Sequence, residues 1–295
     1  MSMKQDYEDF INKQKTFFSR PMSEYSKHQE KRYMNPFQMF GNLYYVGDTW
    51  VCIHLIDTGD GLLILDSGNY NASGMLINAI WESGFKPTDI KWVVLPHGHI
   101  DHIGNAAFLR NMFGCKIYLG EPDAEMFRQN PALSFVHDSP NIADELFEPD
   151  VVICDNDLLK FGDTEIQFYL VPGHTAGCIA CFFNVNDGKE TKRAGYFGGF
   201  GFNTLTEDYL KEIGDIKYKM RREYLASLEK VMDEHVDIFL GNHANNNKIV
   251  EKRQFQIQHP NPKVNPYIDP DEWRSYLTSR KQDVITLMKS ENEER

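Results

Sequence analysis

Residues 93–109 read VVLPHGHIDHIGNAAFL, and within them His97, His99, Asp101 and His102 fall inside six positions of a chain that has 10 histidines in all. Imidazole nitrogen and carboxylate oxygen are donors that zinc takes in tetrahedral sites. In an extended segment, residues two apart point the same way. His97 and His99 therefore reach one metal together, and Asp101 with His102 reaches a second point nearby. Manganese, cobalt and iron accept similar donors, so the spacing points to a divalent metal with zinc as the first choice. A lone histidine is ordinarily a surface or satisfied core residue, and Asp101 also stands where a helix N-cap would. The density of four donors between a strand and a helix is what marks chemistry.

Those side chains need elements to hold them. IKWVVLP (90–96) is a short buried strand stopped by Pro96, and IGNAAFLRNMFG (103–114) is a helix closed by glycine. Upstream, NLYYVGD, WVCIHLIDT and GLLILDSG are β-rich runs parted by Gly-Asp turns, a meander of strands. NASGMLINAIWESG (71–84) has helical spacing, and KIYLG is a further strand. Residues 1–36 are expected to form a helical N-terminal extension, and the proline-bearing stretch 121–150 to be irregular. A second run of strands begins near 150. It leads to helix over about 206–235, to the segment VDIFLGNHANNN, and to a C-terminal helix in DPDEWRSYLTSRKQDVITLMKS. The repeated order of β-meander then α/β predicts an α/β fold, two sheets face to face with helices outside, in a single domain over 37–295.

Composition narrows the function. The 295 residues carry a formal net charge of −12, which repels phosphate backbones and argues against a nucleic-acid partner. The basic stretch KYKMRREY (217–224) reads as the solvated face of a helix. No run approaches the ~20 apolar residues of a membrane span. The charge-mixed start MSMKQDYEDFINKQKTFFSR is not an export signal, so a cytoplasmic protein acting on a small molecule is expected, its oligomeric state left open. Five cysteines, an odd number in a long chain, are not a disulfide framework. Cys178 and Cys181 are three apart in a strand run and so face opposite sides, which favours core thiols over a metal or redox pair.

The pattern H-x-H-x-D-H, standing here as His97, His99, Asp101 and His102, resembles the signature of the metallo-β-lactamase superfamily. Other landmarks match in order. LLILDSG resembles the strand that ends in a supporting aspartate, here Asp66. VPGHTAGC resembles the loop carrying the third ligand of the first metal, here His174, and IFLGNH the last ligand of the second, here His243. The resemblance runs from about residue 37 to 290 and implies a four-layer αββα sandwich of the metallo-β-lactamase type. Most hydrolases of the superfamily carry a bridging aspartate between the third and last ligands. The matching strand RAGYFGGFGFN (193–203) contains no acid and puts Gly198 or Gly199 there. A missing bridge is similar to the third subclass of metallo-β-lactamases, as is the tail NPYIDPDEWRSYL.

The resemblance implies two zinc ions per chain, His97, His99 and His174 on the first and Asp101, His102 and His243 on the second, sharing a hydroxide that attacks a carbonyl carbon. Asp101 would orient the nucleophile, and Asp66 would accept an N–H from the histidine loop and hold it. Phe200, Phe202, Asn203 and Asn245 are expected near the second zinc as substrate contacts. The implied reaction is the opening of a cyclic amide of the β-lactam kind. The alternative is a cytoplasmic lactone, ester or thioester hydrolase with the same metal centre. Ligation needs neutral imidazoles, so activity is expected to fall below about pH 6. His54 reads as core or wall, and His137 as a surface residue.

Overall fold

The computed structural model describes residues 28–135, 147–260 and 264–291. Apolar runs build two sheets. The first keeps chain order: β1 (Phe37–Phe40), β2 (Leu43–Tyr45), β3 (His54–Asp57), β4 (Leu62–Leu65), β5 (Ile90–Val94), β6 (Lys116–Gly120) and β7 (Val151–Ile153). Strands β1 to β4 are antiparallel, whereas β4 to β7 are parallel. Parallel neighbours need crossovers. These are α1 (Ser73–Glu82), the single turn α2 (Ile100–Ile103) followed by α3 (Ala106–Phe113), and α4 (Glu121–Gln129). The second sheet comprises β8 (Leu158–Phe161), β9 (Thr164–Leu170), β10 (Ile179–Asn186), β11 (Thr191–Phe197) and β12 (Ile238–Leu240), arranged β12-β11-β10-β9-β8 with only β11 and β12 parallel. Between β11 and β12 come α5 (Glu207–Glu212) and α6 (Lys219–Val231); α7 (Ile249–Gln258) and α8 (Glu272–Ser290) follow.

The two-residue period of β10 makes the layers. Ile179, Cys181, Phe183 and Val185 point inward and pack with Leu63, Leu65 and Phe168 between the sheets. Ala180 and Phe182 point outward onto Leu228, Val231, Trp273 and Leu277 of α6 and α8. On the far side, Ile64 and Val93 meet Leu76 and Ile80 of α1 and Leu109 of α3. The result is a four-layer αββα sandwich. Each such buried side chain contributes roughly 1.5–3 kcal/mol, and truncating Phe183 to alanine would cost about 3–5 kcal/mol.

Several local expectations change. Residues 121–129 are helical rather than irregular: Pro122 occupies the first turn, with Glu121 and Asp123 in that same turn. The stretch near 206–235 is two helices, broken at Gly214, whose φ of 80° is left-handed. Of the expected N-terminal helix, residues 28–36 form only a 3-10 turn, Gln29–Arg32, and a run into β1; residues 1–27, like His137, lie outside the described residues. Among the described residues no helix is long and apolar enough to cross a membrane.

Strand ends from both sheets are strapped together at one edge. Ile179 N–H donates to Pro96 O at 3.0 Å, and Gly198 N–H to Ile179 O at 2.8 Å. Cys52 N–H donates to Asn242 O and Ala244 N–H to Trp50 O, each at 2.9 Å. These bonds bring the loops after β2, β5, β9, β11 and β12 to one place.

Candidate metal centre

After β5 the chain turns at Pro96 and enters α2 with His99 as its N-cap (φ −84°, ψ 150°). The capping alternative for Asp101 therefore does not apply: Asp101 sits in the first helical turn, which swings it and His102 back over the loop. Ligand atoms of His97, His99 and His174 lie within 4.8 Å of one another, and so do those of His97, Asp101 and His102. Asp101 Oδ2 stands 3.6 Å from His102 Nε2 and 3.6 Å from His243 Nε2. All six expected donors are thus gathered, from three loops.

Their orientation is set from behind. Gly198 O accepts from His97 Nδ1 at 2.6 Å, Gly201 O from His174 Nδ1 at 2.9 Å, and Trp50 O from His243 Nδ1 at 3.1 Å. Asp66 Oδ2 accepts from His102 Nδ1 at 2.5 Å. An imidazole that donates through Nδ1 keeps its lone pair on Nε2, so these four rings turn lone pairs into the cluster. His99 presents Nδ1, 3.1 Å from His97 Nε2. Asp66 is itself pinned: its φ is 75°, it is fully buried, and Gly68 N–H and Tyr196 O–H donate to it. His102 Nε2 is buried with no hydrogen-bond partner, since 3.6 Å to Asp101 is too long for one. A buried orphan nitrogen beside converging lone pairs and a carboxylate is the donor set of a divalent cation, and the residues fit one.

The sequence reading missed Asp123. An acid in the first turn of a helix complements the helix dipole anywhere, so nothing local distinguishes it. Folded, it is fully buried at the start of α4 and accepts from Gly98 N–H, Thr175 O–H and Gly177 N–H, each at 2.7 Å. It thereby ties the His97–His99 loop to the loop of His174. Burial raises its carboxyl to about 6 against the pull of those three donors.

The strand where a bridging acid would stand has no room for one. A Cβ on Gly199 would meet Cys178 Sγ at 2.6 Å and His174 Cδ2 at 2.7 Å; one on Gly198 would meet Pro96 O at 2.6 Å and Ile179 O at 2.7 Å. These glycines are required by the close approach of the two ligand loops.

Residues 52–187 match the family model of the metallo-beta-lactamase superfamily. The chain carries a metallo-beta-lactamase superfamily domain. BJP-1, a subclass B3 metallo-beta-lactamase of Bradyrhizobium japonicum, superposes with a TM-score of 0.76 at 26% identity, over 90% of this chain and 98% of that one. The FEZ-1 metallo-beta-lactamase from Legionella gormanii gives 0.76 at 26%, over 89% and 98%. A protein of Aquifex aeolicus is 33% identical over 91 residues, 31% of this chain and 42% of that protein. The hydroxyacylglutathione hydrolase GloC of Haemophilus influenzae is 30% identical over 135 residues, 45% of this chain and 63% of GloC. The chain thus spans less than two thirds of the length of these two relatives.

Electrostatics in the metallo-β-lactamase domain favour the neutral form at four of the five histidines. Burial, then neighbouring histidines, hold His97 and His99 well below the ordinary imidazole range. Burial also lowers His174 and His243 to about 4, so these rings stay neutral below the pH 6 expected from sequence. His102 behaves differently: burial lowers it, but the carboxylates of Asp66 and Asp101 win and raise it to about 9. Asp101 is lowered, its own burial outweighed by His102, His243 and His174.

Two hollows flank the cluster of the metallo-β-lactamase domain. One, of about 740 Å³, opens at His243 and includes Trp50, Phe200, Phe202 and Asn245 in its lining. The other, of about 350 Å³, opens at His99 and His174 beneath Met126, Tyr209 and Met220. Three of the four expected substrate contacts therefore border the His243 cleft. Asn203 is exposed and does not line it. Cys178 and Cys181 are buried on opposite faces of the second sheet, Cys178 in the outer core and Cys181 between the sheets. His54 is fully buried among Tyr45 and Tyr196.

Proposed function

We propose that residues 37–295 form one hydrolase domain that opens a cyclic amide of the β-lactam kind with two zinc ions, the first on His97, His99 and His174 and the second on Asp101, His102 and His243. The observation that carries this reading is Asp101 Oδ2, 3.6 Å from two Nε2 atoms on different loops, beside a three-histidine group. That is a second donor set built without a bridging acid. The likeness to subclass B3 metallo-beta-lactamases over 90% of the chain supports it. When bound, the zinc pair would supply Lewis acidity toward the substrate carbonyl and a nucleophilic water at neutral pH. Asp101, through its second carboxylate oxygen, accepts a hydrogen bond from the attacking water and orients it. Asp66 and the carbonyls of Trp50, Gly198 and Gly201 keep the imidazoles turned inward. Phe200, Phe202 and Asn245 border the substrate.

A second reading, hydrolysis of a lactone, ester or thioester by the same residues, is favoured by the similarity to the hydroxyacylglutathione hydrolase GloC. Metal analysis of the purified protein with a substrate panel tests both. A chromogenic cephalosporin, several lactones and a thioester are assayed with and without chelator. Chelator-sensitive turnover of the cephalosporin supports the first reading, and turnover of lactones or thioester alone replaces it with the second. A metal content near zero sinks both.

A further inference from the structure

The ring of His97 leans on a soft piece of backbone. Gly198 O accepts from its Nδ1 at 2.6 Å, and that carbonyl belongs to the peptide between two glycines, Gly198 and Gly199. With no Cβ on either side, such a peptide plane turns more freely than others. The close approach of the ligand loops leaves no room for side chains at these positions, so stiffness has to come from elsewhere. It comes from Asn242. Asn242 Nδ2 donates to the same Gly198 O at 3.0 Å, from 44 positions away. A carbonyl oxygen has two lone pairs and can serve both donors. It can only accept, which makes Nδ2 and not Oδ1 the amide atom that faces it. Asn242 is 1% exposed, and its Oδ1 is buried with no hydrogen-bond partner.

An unsatisfied buried amide oxygen is costly. A side chain that only filled space would do so better without one. The amide is explained by what its nitrogen holds. Asn247, equally buried at 1%, acts within its own segment, its Nδ2 donating to Phe239 O at 2.8 Å. Asn242 instead reaches from the loop of His243 to the carbonyl behind His97. Its own backbone is held there, Cys52 N–H donating to Asn242 O at 2.9 Å. We propose that Asn242 is a positioning residue for His97. It fixes the Gly198 carbonyl, and with it the direction in which His97 turns Nε2 into the cluster, and it does so from the loop that carries a donor of the other set. The inference rests on the proposed function for the division into two sets, and on the contact itself for the rest. Asn242 lies outside the segment matched by the family model.

The test has two arms on the full chain with zinc added. In the first, the ring N–H protons of isotope-labelled histidine are followed by NMR in wild type, Asn242→Ala, Asn242→Ser and the matched control Asn247→Ala, with circular dichroism to verify folding. In wild type the Nδ1–H of His97, assigned by its Overhauser contacts, should be a downfield proton that exchanges slowly with solvent. Its exchange is expected to quicken about tenfold in both Asn242 variants, the loosening of one hydrogen bond, and to stay as in wild type in Asn247→Ala, which loses a buried bond of the same kind without touching Gly198. Fast exchange in wild type, unchanged exchange in the Asn242 variants, or an equal change in Asn247→Ala overturns the proposal. In the second arm, zinc affinity is measured by chelator competition in the His243→Ala background, where one zinc on His97, His99 and His174 is expected. Adding Asn242→Ala should weaken that zinc about tenfold, although the loop of Asn242 then carries no ligand. Equal affinity with and without Asn242 confines its role to the His243 loop and overturns the proposal. Loss of all metal in His243→Ala counts against the division into two sets alone, and proton exchange at His97 then decides for or against Asn242.

Discussion

The hydroxyl of Thr175 donates to Asp123 Oδ2 at 2.7 Å, from a residue next to His174 to a carboxylate that also receives the amide of Gly98, between His97 and His99. One buried acid thus sets the spacing of two loops that bring three imidazoles together. Replacing Asp123 with alanine would strand a hydroxyl and two amides, at about 1–3 kcal/mol each. We expect the urea midpoint to drop accordingly and zinc affinity to fall about 10–100-fold. Equilibrium unfolding and zinc retention after dialysis against a graded chelator measure the two effects. Zinc affinity equal to wild type would remove Asp123 from the account of the site.

His243 reaches the cluster from the end of β12 and meets Asp101 and His102 there. His243→Ala should lower the zinc content from about two per chain to about one, because the first three-histidine set is left whole. Elemental analysis of the dialysed protein decides it. Loss of all metal would mean that the donors do not divide into two sets.

Gly199 is packed against Cys178 and His174 too closely for any side chain. Gly199→Ala should destabilise by about 1–3 kcal/mol through overpacking, and Gly199→Asp should do so more severely rather than supply a bridging ligand. Thermal unfolding of both variants, with their metal content, checks this. A stable Gly199→Asp protein with tighter zinc binding would contradict the packing argument.

His54 is fully buried with neither ring nitrogen hydrogen-bonded, and burial lowers it to about 3 from an ordinary value of 6.5. The unfolded chain therefore takes up a proton near pH 6.5 that the folded one refuses until about pH 3. This contribution to stability is complete above pH 6.5 and is lost on acidification, at up to about 1.4 kcal/mol per pH unit. A His54→Leu variant lacks that loss. The unfolding free energy of wild type minus variant should become about 2 kcal/mol less favourable between pH 7 and pH 5. A difference that does not change with pH would show that His54 is not held neutral.

The fold class was legible because strands and helices announce themselves by period: IKWVVLP, LLILDSG and ACFFNV alternate or run apolar over a few residues, and burial follows that pattern. The helix at 121–129 was hidden by Pro122, which punctuates a loop and starts a helix equally well. At the site, the four donors of PHGHIDH could be read directly because they lie within one loop and one helical turn. His174, His243 and Asp66 were found only through the resemblance of their surroundings.

The sequence by itself determined the donor types, their local spacing and the layered α/β architecture, since these depend on neighbours a few residues apart. Only the tertiary structure decided which distant groups stand behind them. Asp123 clamps Gly98 and Gly177 across 25 and 54 positions. A carboxylate or guanidinium looks the same in a sequence wherever it lies. Its role comes from burial and from the partners that remove its freedom, and those exist only once the two sheets have closed.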